Sequence, residues 1–185
     1  MQRRALLLEY ITIAWNILEG IISMLLGFLA GSVSLFAYGL ESSIEVFASS
    51  VTVWHLKGGK SRNERVALKL IGGAYLIASA YIFLDAVRSL VQQHHPNATV
   101  LGIIFLILTV LVMLILGILK KKVGKAMKNA VVLADAKFTL IDGALSAAVL
   151  IGLVLNAWLG WWWTDQALAL FLSGVAFKEG IQEFV

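Results

Sequence analysis

Apolar residues in this chain run in six long stretches, roughly 7–30, 33–56, 66–91, 99–119, 129–157 and 164–184, divided by short polar connections. A helix of about 20 apolar residues crosses a bilayer, and each stretch comes close to or exceeds that length. The longest polar connections, 57–65 and 92–99, leave no room for a separate soluble domain. The pattern predicts an all-α membrane protein: a six-transmembrane-helix bundle forming one domain over 1–185. Arg3 and Arg4 ahead of the first stretch, and Ala30-Gly31-Ser32 near its end, imitate a signal peptide. Glu9, Asn16 and Glu19 interrupt that run, and it is longer than a signal core, so a retained helix is expected.

Composition sharpens the assignment. The chain is 60% hydrophobic and 14% charged, with a mean hydropathy of +0.89, against about 45–50% and 25% in soluble domains. A single Pro argues against Pro-rich linkers, and the lack of Cys excludes disulfides, thiolate metal sites and cysteine nucleophiles. The net charge of +4 does not point to nucleic acid, because the basic residues lie in short runs between apolar stretches. They sort instead by side. Arg3, Arg4, Lys57, Lys60, Arg62, Arg65, Lys69, Lys120, Lys121, Lys122, Lys125, Lys128 and Lys178 fall on one side and only Arg88 on the other. The positive-inside rule then places both termini in the cytosol. Trp158, Trp161, Trp162 and Trp163 cluster where an outer aromatic belt is expected.

Ionisable groups inside the apolar stretches are costly and face a protein interior or a water-filled path. Glu41 and Glu45 are four residues apart, on one face of the second helix. Asp142 in the fifth helix lies at a similar depth, with Asp135 seven residues earlier on the same face, about 10 Å nearer the cytosol. Oxygen ligands from two helices can hold a divalent cation in such a layer. The plainer reading is that these acids are protonated or paired and only fix helix register. Lys137 lies about 140° round the helix from Asp142, so it is expected to snorkel to the cytosolic surface or to pair elsewhere. Glu19 either lines the pathway or bonds a neighbouring helix. His94 and His95 are candidates for metal capture at the outer mouth. His55 is about 15 Å along the helix from Glu45, outside its ligand shell. No Ser-His pair or His-Glu-x-x-His pattern suggests an enzyme.

The run 31–45 (GSVSLFAYGLESSIE) resembles the helix-two signature of the cation diffusion facilitator family, and 134–142 (ADAKFTLID) resembles its helix-five signature. The resemblance extends over essentially the whole chain. It implies six transmembrane helices and export of zinc or related divalent metals in exchange for protons. The family takes metal ligands four apart in helix two and four apart in helix five, here Glu41 and Glu45, then Phe138 and Asp142. Phe138 cannot bind metal, and both helix-two ligands are Glu. Tyr38 stands where many members carry Asp, and its hydroxyl is a candidate accessory ligand, as is Asp135. An all-oxygen set favours harder ions such as manganese, and imidazole favours zinc, so the expected ion is zinc or manganese/iron-like. On this placement Phe138 faces Glu41 and Glu45, and Phe138→His raises zinc affinity relative to manganese. Many members also carry a cytosolic C-terminal domain that helps them dimerise, so a chain ending at Val185 resembles a truncated member. The resemblance further implies a homodimer in the lipid bilayer, with the plasma membrane as the default location. Gly72-Gly73, or Gly27 with Gly31, can allow close helix approach. The rival expectation is a non-transporting membrane protein of the same fold that binds metal or a partner.

Overall fold

Lipid offers the backbone no hydrogen-bond partners, so segments this apolar satisfy their peptide groups internally, as helices. The computed structural model describes residues 1–30, 33–58, 63–93, 100–161 and 163–184, without the side chains of 26–30, 33–38, 40, 100–102, 153, 156, 157 and 165. Among the described residues there are six α-helices and no strand: α1 (Gln2–Ala30), α2 (Val33–Lys57), α3 (Glu64–Val91), α4 (Val100–Met127), α5 (Ala130–Leu159) and α6 (Thr164–Gln182). α4 continues past the end of its apolar run because one of its faces, including Lys120 and Gly124, stays buried against its neighbours.

The polarity of the bundle is inverted relative to a soluble protein. Large apolar side chains such as Leu25, Phe47, Ile77, Leu84, Ile104, Ile115, Ile151, Phe171 and Phe177 are exposed. Glu9, Asn16, Glu19, Glu45, Lys120 and Asp135 are buried. Among the described residues, three segments, Gln2–Leu25, Glu64–Val91 and Ile103–Met127, are long and apolar enough on their own to cross a membrane. Lipid is the solvent that such a surface matches.

The helices pack chiefly as three pairs: α1 with α2, α4 with α5, and α3 with α6. Lipid supplies little hydrophobic drive for helix association, so close packing by small residues takes over. At the α1–α2 crossing, a Cβ added to Gly39 would lie 2.6 Å from Met24 Cγ, 2.8 Å from Gly20 O and 2.9 Å from Met24 N. Two of those neighbours are backbone atoms, so the helices would have to separate. Gly39→Ala is therefore expected to cost about 1–3 kcal/mol through overpacking, visible as a lower melting temperature. An unchanged melt would mean that α1 and α2 do not meet at this point. In the α3–α6 pair, a Cβ on Gly72 would meet Gly180 O, Glu183 and Phe184 at 2.9 Å each. Gly72 is thus used within the chain, not between copies, whereas a Cβ on Gly73 would meet nothing within 4 Å. Gly27 lies in α1 with its surroundings outside the description, and Gly31 lies outside the described residues.

Short connections align the pairs. Asn63 caps α3 by accepting a hydrogen bond from Arg65 N at 3.0 Å, and Asn129 Oδ1 accepts from Val132 N at 3.0 Å at the start of α5. Lys128 turns the chain between α4 and α5 in a left-handed conformation (φ 51°). Ala5, Leu56 and Val132 then cluster with Leu6, Val123 and Met127. The starts of α1 and α5 and the ends of α2 and α4 consequently share one end of the bundle, here termed the basic end. Lys57 packs over the Tyr10 ring there, 5.3 Å from its centroid.

Candidate cation pathway

The polar residues of four helices fall on their inner faces at helical spacing. On α1 the buried stripe is Glu9, Thr12, Asn16, Glu19 and Ser23; on α2 it is Glu41, Ser42, Glu45, Ser49 and Thr52. α5 contributes Asp135, Thr139, Asp142 and Ser146, and α4 contributes Thr109 and Lys120. Steps of three and four residues keep such a stripe on one face. The result is a polar seam running from the basic end toward the opposite side.

Two layers of charge divide that seam. The layer farther from the basic end holds the acids expected from the sequence. Asp142 interacts electrostatically with Glu45 most strongly, then with Glu19 and Glu41. Glu41 interacts first with Glu45, then with Glu19 and Asp85. Glu45 is 1% exposed, and its carboxylate makes no well-formed hydrogen bond, with Thr139 and Asp142 as its side-chain neighbours; Asp142 Oδ2 and Asn16 Oδ1 also lack a well-formed hydrogen bond. Buried polar atoms are nearly always partnered, so these are groups with spare binding capacity. They do not form a finished chelate: among the described residues, no three His, Asp or Glu side chains converge closely enough to hold a metal ion.

The layer nearer the basic end is built on Lys120. Its Nζ lies 2.8 Å from Glu9 Oε2 and 2.6 Å from Asp135 Oδ2. It also donates to Thr139 Oγ1 at 3.1 Å and to Ser49 Oγ at 3.3 Å. Ser49 in turn donates to Asp135 Oδ1 at 3.3 Å. Glu9, Lys120 and Asp135 are all 0% exposed. Lys120 is therefore not one of the cytosolic loop charges among which the sequence reading counted it. Asp135 joins the structure through this ammonium, not as an open accessory ligand.

The Lys120 layer was legible in part. Lys120 continues the buried α4 series Leu106, Thr109, Met113, Leu116 and Gly117, but it is followed by Lys121 and Lys122, and the triplet reads as a solvated run. Glu9 and Glu19 belong to a polar stripe in α1 whose 3, 4, 3, 4 spacing is visible in the sequence.

Phe138 takes a different place from the one expected. Its ring packs on Tyr75 of α3 at a centroid distance of 4.4 Å, within an apolar cluster that includes Ala48, Val51, Ile71, Ala134 and Leu145. Tyr75 is fixed by its own hydroxyl, which donates to Ala134 O at 3.1 Å. Phe138 thus borders the polar stripe without entering it, and the expected gain in zinc affinity from Phe138→His loses its structural basis. Lys137 pairs with Glu179 of α6, resolving its alternatives in favour of a partner elsewhere. The side chain of Tyr38 and all of His94 and His95 lie outside the described residues. The cap position of α6 is Trp163, and Thr164 Oγ1 donates back to Trp161 O at 2.8 Å.

An apolar exterior around an acidic interior defines an integral membrane protein with ionisable groups buried between its helices. The chain belongs to the cation efflux family: residues 10–185 match the cation efflux transmembrane domain. It is 29% identical over 165 residues to the cation-efflux pump FieF of Shewanella oneidensis, covering 82% of this chain and 55% of that protein. It is 25% identical over 168 residues to the magnetosome protein MamB of Paramagnetospirillum magneticum, covering 85% of this chain and 56% of that one. An uncharacterized transporter of Methanocaldococcus jannaschii is 28% identical over 184 residues, covering 90% of this chain and 64% of its own. The chain therefore spans a little over half the length of these curated relatives.

Proposed function

We propose that this protein carries divalent cations out of the cytosol in exchange for protons, with Glu41, Glu45 and Asp142 as the principal ligands and Glu19 in the same layer. The observation that carries this reading is the closely interacting acidic pair Glu45 and Asp142, buried in a polar seam within a bundle whose family is defined by cation efflux. A carboxyl in a low-dielectric interior is stable with a proton or with a share of a bound cation, and not as a bare charge. Metal and protons then compete for the same oxygens, and that competition couples their fluxes. Oxygen ligands favour hard cations such as manganese, and the missing ligand at Phe138 weakens the case for zinc. The basic end faces the cytosol by the positive-inside rule. The family resemblance supports a homodimer, and the plasma membrane is its expected setting.

Purified protein in acid-loaded liposomes is expected to take up manganese as protons leave, well above protein-free vesicles. Equal uptake in the two would end the transport reading. Phe138, packed on Tyr75 where the family places a ligand, favours a second reading, that of a metal-binding membrane protein without turnover. Saturable manganese binding without uptake would select it.

A further inference from the structure

We propose that the oxygens around Lys120 form a second cation site on the cytosolic leg of the pathway, filled in this conformation by the protein's own ammonium, which an incoming divalent ion must displace. The inference rests on the transport reading above and adds a station to it. Two carboxylates and two hydroxyls surround Nζ at 2.6–3.3 Å, and every one of these residues is buried. Such an all-oxygen shell is what a hard cation requires. Its position matters as much as its composition. Ser49 is one turn, about 6 Å, from Glu45 on α2, and Asp135 is about 10 Å from Asp142 on α5. The ammonium thus stands between the basic end and the outer acid layer, and Lys120 is the strongest electrostatic partner of Glu45.

The contacts also explain how displacement would open a path. α1 packs mainly on α2, and α4 on α5. Lys120 of α4 reaches Glu9 of α1 and Ser49 of α2 as well as Asp135 and Thr139 of α5. This side chain, together with the Ser49–Asp135 hydrogen bond, therefore fastens the two pairs together on the cytosolic side. A divalent ion carries twice its charge and satisfies Glu9 and Asp135 in its place. Lys120 would then swing toward the basic end, where its neighbours Lys121 and Lys122 are already exposed.

Wild-type protein in detergent is treated with a small amine-acetylating reagent with and without manganese chloride, and acetylation at Lys120 is read by mass spectrometry against Lys121 and Lys122. Bound manganese is counted by electron paramagnetic resonance in the same samples. Lys120 acetylation is expected to rise roughly tenfold, as when an open state populated at no more than about 10% becomes dominant. Bound manganese with Lys120 still protected overturns this inference and leaves the transport reading standing. No bound manganese overturns the site of the transport reading, and this inference with it. Lys120→Met gives a second readout: with the competing ammonium gone, the folded variant should bind manganese at this site at least tenfold more tightly than wild type, and Asp135→Asn in that background should remove one bound ion. A folded Lys120→Met protein with unchanged manganese affinity counts against the site, and if the variant does not fold, the acetylation result decides alone.

Discussion

Manganese affinity is expected to fall by about 100-fold or more in Glu45→Gln, since even groups that only support a metal ligand are worth about 10–100-fold. Glu45 is the informative position because it is buried and is the leading electrostatic partner of both Asp142 and Glu41. Gln keeps the shape and removes the charge. Folding should survive, and the melting temperature should hold or rise, because a buried carboxyl crowded by Glu41, Glu19 and Asp142 is replaced by a neutral amide. If Glu41, Glu45 and Asp142 only set helix register, the melt behaves in the same way but manganese affinity does not change. Titration of manganese into both proteins, paired with thermal melts, separates the two readings.

Lys120→Met has the opposite signature. It leaves Glu9 and Asp135 buried with no cation between them, and removing one partner of a buried ion pair typically costs about 3–5 kcal/mol. The variant is expected to melt well below wild type. Adding Glu9→Gln and Asp135→Asn to it should recover most of the loss, since an apolar or neutral replacement of the whole cluster is often neutral to stability. A Lys120→Met protein that melts like wild type would show that this cluster does not hold α1–α2 to α4–α5. The two experiments bear on different layers of the seam: the outer acids gain from losing a charge, and the inner acids lose from losing their cation.

The sequence by itself determined the helices, their membrane setting and the family. Runs of twenty or more apolar residues leave no other way to satisfy the backbone in lipid, and the acidic positions in 31–45 and 134–142 mark where charge enters that lipid. It also marked Glu41, Glu45 and Asp142 as candidates, because depth along a helix follows from residue count alone. Partnership does not follow from residue count. Whether a lysine in a basic triplet is solvated or buried depends on which face of α4 meets α1, α2 and α5, and only the assembled bundle brings Glu9, Ser49, Lys120 and Asp135 to one point. The same holds for Phe138. Its spacing from Asp142 suits a ligand position, but Tyr75, held by Ala134 O, presents a ring that captures it for the apolar core. Helical period fixes the angle of a side chain about its own axis, and the neighbouring helices decide what that angle faces.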